Sequence, residues 1–169
     1  KDVARNTKII ITFKKAVSLA SFVVDTNKNG TFGDCVNVGA TMKWETDCDS
    51  LKKGVDLIAV KDATTGQEIR GATVLGSIEN GQVYTIIIRP FDALGDAQKN
   101  IVYSTRIGAG VKQDDAANNN PSIFGRRASS FYEWQFTTSN VFDTAAPFVT
   151  GVYPDKGSKE SKNSVIQIN

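Results

Sequence analysis

Histidine is absent from this 169-residue chain. That removes the commonest general base, a frequent zinc ligand and every Ser-His or Cys-His nucleophile arrangement. Carboxylate, lysine or tyrosine chemistry would then have to declare itself by a motif. None does, and the chain is read as something other than an enzyme. Long hydrophobic runs are also lacking, since none approaches the ~18 residues a membrane span requires. Neither sign of charge dominates: 20 basic residues face 18 acidic ones, a formal net charge of +2. Lys14-Lys15, Lys52-Lys53 and Arg126-Arg127 are the adjacent basic pairs, too few and too scattered for nucleic acid to be an expected partner.

Cysteine is scarce, with Cys35 and Cys48 the only two. They sit in a segment dense in Gly, Asn and Asp. Two thiols without histidine make a poor zinc site, which leaves a local disulfide or two unrelated buried thiols. The disulfide is the expectation, and it implies an oxidising, extracellular compartment.

What is present is a run of short strands. Thr7–Phe13 is β-branched and ends in an aromatic residue. Val55–Val60 and Glu68–Leu75 are bounded by Lys53-Gly54 and Thr64-Thr65-Gly66. Asn80-Gly81 is a hairpin signal between Val74–Ile78 and Val83–Arg89. Val83–Ile88 is nearly continuous in apolar residues, which predicts a central strand buried on both faces. Ile101–Ile107 and Tyr132–Thr138 complete the set, with Tyr132, Trp134 and Phe136 on one face. Helical turns are expected only at Ala16–Ala20 and Asp49–Lys53. Short strands with Gly and Asn punctuation and almost no helix predict an all-β antiparallel sandwich.

Two long polar segments, residues 21–50 and 113–130, interrupt the strand rhythm, and loops of this length are where specific activity is sought. Within the first, Asp25, Asn27 and Asn29 alternate before Gly30, followed by Thr31 and Asp34. Oxygen side chains at positions 1, 3 and 5, a carbonyl at 7 and a turning Gly are how calcium loops hold a hard cation. There is no Glu at position 12, where Val36 stands, so affinity would be weak, in the ~0.1–1 mM range. The plain alternative is a polar Asn-Gly turn. Asp114 and Asp115 offer a second polar cluster, for a cation or a sugar, or a solvated loop. Trp44 is a candidate to stack on a surface glycan, or a packing residue.

The chain ends on an echo of its beginning. Lys162-Asn163-Ser164 followed by Val165, Ile166, Gln167, Ile168 and Asn169 repeats the pattern of Arg5–Thr12. Residues 147–154, with Phe148, Val149, Val152 and Tyr153, read as a fresh strand ahead of it, and 140–146 as a linker. The expected organisation is therefore one domain over 1–139, an insertion over about 21–50, and the opening strands of a further repeat over 147–169. The first domain has no counterpart to the 147–154 strand. Val165, Ile166 and Ile168 are accordingly expected to form an inter-module strand, paired with an adjacent repeat or donated to a neighbouring copy.

Four stretches in this order resemble the bacterial Ig-like domains, of the SbsA-like type, found in tandem on S-layer and other surface proteins. They are the Ile-x-Ile-x-Phe pattern within Thr7–Phe13, the Tyr103–Asn118 stretch, Tyr132–Thr138 with its Tyr-x-Trp-x-Phe-x-Thr pattern, and Asp143–Pro154. One extra residue between Val111 and Asp114, and Ala117 in place of a frequent Gly, depart from the family pattern. The resemblance implies an Ig-like fold, a cell-surface location, and a non-catalytic structural or adhesive role among neighbouring repeats. It brings no catalytic residues. The rival expectation is a calcium- or glycan-binding adhesion module with its specificity in the 21–50 insertion.

Overall fold

Asn80 and Gly81 both take left-handed backbone conformations, with φ of 52° and 79°. That is what a two-residue type I′ turn demands, and it joins the longest hairpin of the protein. The computed structural model describes residues 2–36, 41–54, 56–125, 130–145, 152–153 and 167–168. Its strands form two main sheets. The five-stranded sheet runs in the order β2 (Ile9–Thr12), β8 (Gln82–Pro90), β7 (Ala72–Glu79), β5 (Ser50–Leu51), β4 (Val23–Val24). The four-stranded sheet runs β1 (Asp2–Val3), β11 (Tyr132–Thr138), β9 (Ile101–Ile107), β6 (Ile58–Asp62). All described pairings within them are antiparallel except β1 on β11, which is parallel.

Period-2 patterning explains the packing. In β2, Ile9 and Ile11 are buried while Ile10 is 64% exposed. Val74, Ile86 and Ile88 from one sheet and Ile58, Val60 and Ile107 from the other form one core, together with Phe22 and Val111. Each such side chain contributes roughly 1.5–3 kcal/mol on full burial. Tyr103 and Phe136 stack at 5.7 Å between ring centres and pack against this core. The protein is therefore an all-β sandwich, as its strand rhythm predicts.

Three local expectations need correction. Val83–Ile88 is central in its sheet, but its burial alternates, with Ile86 and Ile88 buried and Ile87 only partly so. An apolar run by itself does not reveal that the outer face is partly open to water. Asp49–Lys53 is not helical: Ser50 pairs with Val24 on one side and Thr73 on the other. The Val74 N–H, which donates to the Asp49 carbonyl at 2.9 Å, draws this segment into the sheet. The described helical turns are α1 (Trp44–Asp47), a 3-10 turn over Leu19–Ser21 that overlaps the end of the expected Ala16–Ala20 turn, and another over Ala116–Asn118. The short strand β3 (Val17–Ser18) precedes the first 3-10 turn and pairs with β10 (Lys112–Gln113).

The stretch expected as a linker is pinned along the first residues. Ser139 N–H donates to Val3 O at 2.8 Å and Arg5 N–H to Val141 O at 2.9 Å. Asn6 and Asp143 exchange two further bonds, at 2.7 and 3.0 Å. Farther on, β12 (Val152–Tyr153) pairs antiparallel with β13 (Gln167–Ile168), Val152 opposite Ile168 and Tyr153 opposite Gln167. Val165 and Ile166 lie outside the described residues.

Candidate functional site

The 21–50 insertion extends the five-stranded sheet by β4 and β5 and is fastened by two devices. Cys35 and Cys48 form a disulfide, as expected, between residues 13 apart that also make an isolated antiparallel bridge. The second device is Asp49, which sequence reasoning missed. It is fully buried, and its carboxylate accepts backbone N–H groups from Thr26 at 3.0 Å and Gly33 at 2.8 Å, with Asp34 farther off at 3.5 Å. Its neighbours in sequence carry no signal of this, because all three donors come from at least fifteen residues away.

These contacts set the shape of the Asp25–Asp34 loop. The Asp25 carboxylate accepts from the N–H groups of Asn29 and Gly30 at 3.2 and 2.9 Å. Asn27 Oδ1 accepts from Asn29 N–H at 3.1 Å, and Asn29 Oδ1 from Thr31 N–H at 2.8 Å. Gly30 sits at φ 83°, where side chains other than glycine are strained. The three alternate oxygens thus gather on one turn. Asp34 is engaged differently: it accepts from the side-chain amides of Asn27 at 2.9 Å and Asn29 at 3.0 Å. The Asp34 carboxylate is thus held by amide donors from the same loop. Among the described residues no group of three or more acidic, cysteine or histidine side chains gathers as a metal site.

The other sequence candidates lie apart from this loop in their bonding. Trp44 carries the Arg89 guanidinium 3.8 Å above its ring, so one face is already taken. Beside it Arg70 pairs with Glu45 at 2.5 Å and Asp92 at 2.8 Å, tying α1 to the end of β8. Those bonds from Arg70 hold the carboxyls of Glu45 and Asp92 below the usual carboxylate range. Asp115 accepts from the Asn118 amide at 2.8 Å and organises its own turn, whereas Asp114 is exposed.

A further feature is the side of the sandwich between β2 and β11. Among the described residues, only Thr137 and Thr138 of β11 are paired on their outer side, with β1. Two hollows flank β2 there. One, of about 570 Å³, is lined by Ile11, Phe13, Ile107, Ile123 and Tyr132 among others. The other, of about 240 Å³, lies against Val3, Ile9, Ile10, Trp134 and Phe136. Tyr132 is 61% exposed and tilts against Trp134 at 5.7 Å. No family model, curated protein or solved structure matches the chain.

Proposed function

We propose that this chain is a non-catalytic structural and assembly module of a bacterial cell-surface protein, S-layer-like or filamentous, acting outside the cytosol beside neighbouring copies or repeats. The observation that carries this reading is the tail. Gln167–Ile168, the counterpart of Ile10–Ile11, is a strand with its own antiparallel partner, whereas the described core residues all come before Thr138. A second set of opening strands beyond a finished sandwich is what serial modules contain.

Topology supports the Ig-like part of the reading. The orders β2-β8-β7 and β11-β9-β6 correspond to B-E-D and G-F-C of an immunoglobulin-type sandwich. The Cys35–Cys48 disulfide supports an oxidising compartment. The test combines surface labelling of intact cells with light scattering of the purified chain over a concentration series. Retention at the surface and concentration-dependent association are expected. A protein held inside the cell, or one monomeric up to millimolar concentration, would overturn the reading.

A second reading, calcium binding in the insertion, is favoured by the Asp25, Asn27 and Asn29 oxygens gathered on one turn around Gly30. Titration calorimetry with calcium tests it. Heat that vanishes in Asp25→Asn supports the site, and absence of both heat and thermal stabilisation eliminates it.

A further inference from the structure

We infer that the outer edge of β2 is a strand-acceptor site, filled by residues 148–153 of a second copy running antiparallel, with Val152 opposite Ile11 and Tyr153 opposite Ile10. This deepens the assembly reading above and rests on it.

An unpaired edge presents a row of N–H and C=O groups that template another strand. Three of the terminal strands are short or covered, and beyond β1 the Tyr132–Phe136 part of β11 is also without a described partner on its outer side. β4 and β1 are two residues long. The outer side of β6 is covered by the chain itself, since Ile69 N–H donates to Val60 O at 3.0 Å and Asp62 N–H to Gln67 O at 2.9 Å. Among the described residues nothing pairs with the outer side of β2. Phe13 N–H donates to Tyr84 O at 2.8 Å, in register with Ile11 opposite Ile86 and Ile9 opposite Ile88. Alternation along an antiparallel ladder then turns the N–H and C=O of Ile10 and Thr12 outward. Ile10 is 64% exposed beside them, and the two hollows, the larger one mainly apolar, lie along the same strand.

The occupant is indicated by the tail. Lys162–Asn169 repeats Arg5–Thr12, so Gln167 corresponds to Ile10 and Ile168 to Ile11. Val152–Tyr153 pairs antiparallel with these two counterparts. The same segment therefore has the pairing preference that the β2 edge leaves unmet. A two-stranded ladder of this length is marginal by itself, whereas on β2 the segment would extend a five-stranded sheet. Residues 145–154 carry no charge, and Lys8 and Lys14-Lys15 on either side of β2 disfavour basic strands there. Each copy then has one donor and one acceptor. The contact is head-to-tail and builds open chains or closed rings.

The test uses the full chain. Ile10→Cys and Tyr153→Cys copies are mixed and treated with a short bifunctional maleimide. A crosslinked species of doubled mass is expected, and an Ile78→Cys control, equally exposed on β7, should give none with Tyr153→Cys. In Ile10→Pro, which removes an outward N–H and keeps the inner ladder, association should weaken at least tenfold with the monomer still folded by circular dichroism. Ile10→Lys serves if the proline variant misfolds. Association that persists in both variants without the crosslink would sink the β2 site and leave the assembly reading standing. A crosslink formed within one chain carrying both substitutions at high dilution would put the chain's own tail there instead of a second copy's. Failure of the wild-type chain to associate would overturn both proposals.

Discussion

Replacing Asp49 by alanine is the most informative single change in this fold. The carboxylate sits at 0% exposure and accepts two close backbone N–H bonds, from Thr26 and Gly33. Alanine keeps the backbone bonds of residue 49, to Asp34 O at 3.0 Å and from Val74 N–H at 2.9 Å, but strands both donors. Hydrogen bonds to a charged acceptor are each worth about 1.5–3 kcal/mol, and removing a buried charge relieves part of its own desolvation cost. The expected loss is therefore about 2–4 kcal/mol, a large share of the roughly 5–15 kcal/mol that holds a typical protein folded. For a chain of this size that is a fall in melting temperature of roughly 4–16 °C. Urea unfolding of the oxidised protein, with its slope held in common with wild type, is the assay. Asp49→Asn should fall between the two, since one amide oxygen still accepts while its NH2 meets a backbone donor. A loss below about 1 kcal/mol for Asp49→Ala would refute the claim that this carboxylate organises the insertion.

Reducing the disulfide, or replacing both cysteines by alanine, should cost about 3 kcal/mol for a closed loop of 13 residues. Combined with Asp49→Ala it should cost less than the sum in a double-mutant cycle, because both fasten the same segment. Arg70→Met should lower the melting temperature at neutral pH and low salt. The side-chain hydrogen bonds from Arg70 depress the carboxyls of Glu45 and Asp92. A depressed folded value gives stability that is full above the ordinary values of 4.5 and 3.8. It is lost as pH falls through the lowered ones, so the gap between variant and wild type should close in acid and in high salt. A gap unchanged with pH would rule this out. Gly108→Ala should cost ~2 kcal/mol or more, because a Cβ there would overlap the backbone of Asp56; a melting curve like that of wild type would contradict the packing described.

What could be read ahead of the structure follows from how local each signal is. The Asn80-Gly81 turn, the alternation in Ile9–Thr12 and the shared face of Tyr132, Trp134 and Phe136 each need only a few consecutive residues, and the sandwich follows from them. Tyr103, Ile107 and Val111 also have a local logic: Ile107 and Val111 are buried, and between them Gly108 and Gly110 fit against Asp56. The candidate site was less legible because its determinants are distant. The Asp25–Gly30 turn is visible as a pattern, but Asp49, which supports it, gains its role from donors elsewhere in the chain. Ser50–Leu51 is a strand only because Val23–Val24 and Thr73 lie on either side of it. Two residues carry too little pattern to announce that.

The insertion and the open edge become one problem when the five-stranded sheet is taken from side to side. Without β5 and β4, the outer edge of β7 would be exposed over a strand of eight residues. The insertion covers the Ala72–Thr73 end of that edge with β5 and β4, strands of two residues each. Gly76 N–H, which donates to Gly33 O at 2.8 Å, caps more of it. Protecting one side and leaving the other open makes the sheet directional. A sheet with two open edges would pair with itself in either sense and aggregate, whereas one with a single open edge adds strands on one side only. On this argument the disulfide and Asp49 contribute to assembly indirectly. They hold the cover on β7, which leaves β2 as the edge for the proposed growth. Loosening the insertion should therefore broaden the distribution of assembled species rather than abolish assembly, a distinction that light scattering of Asp49→Ala reads directly.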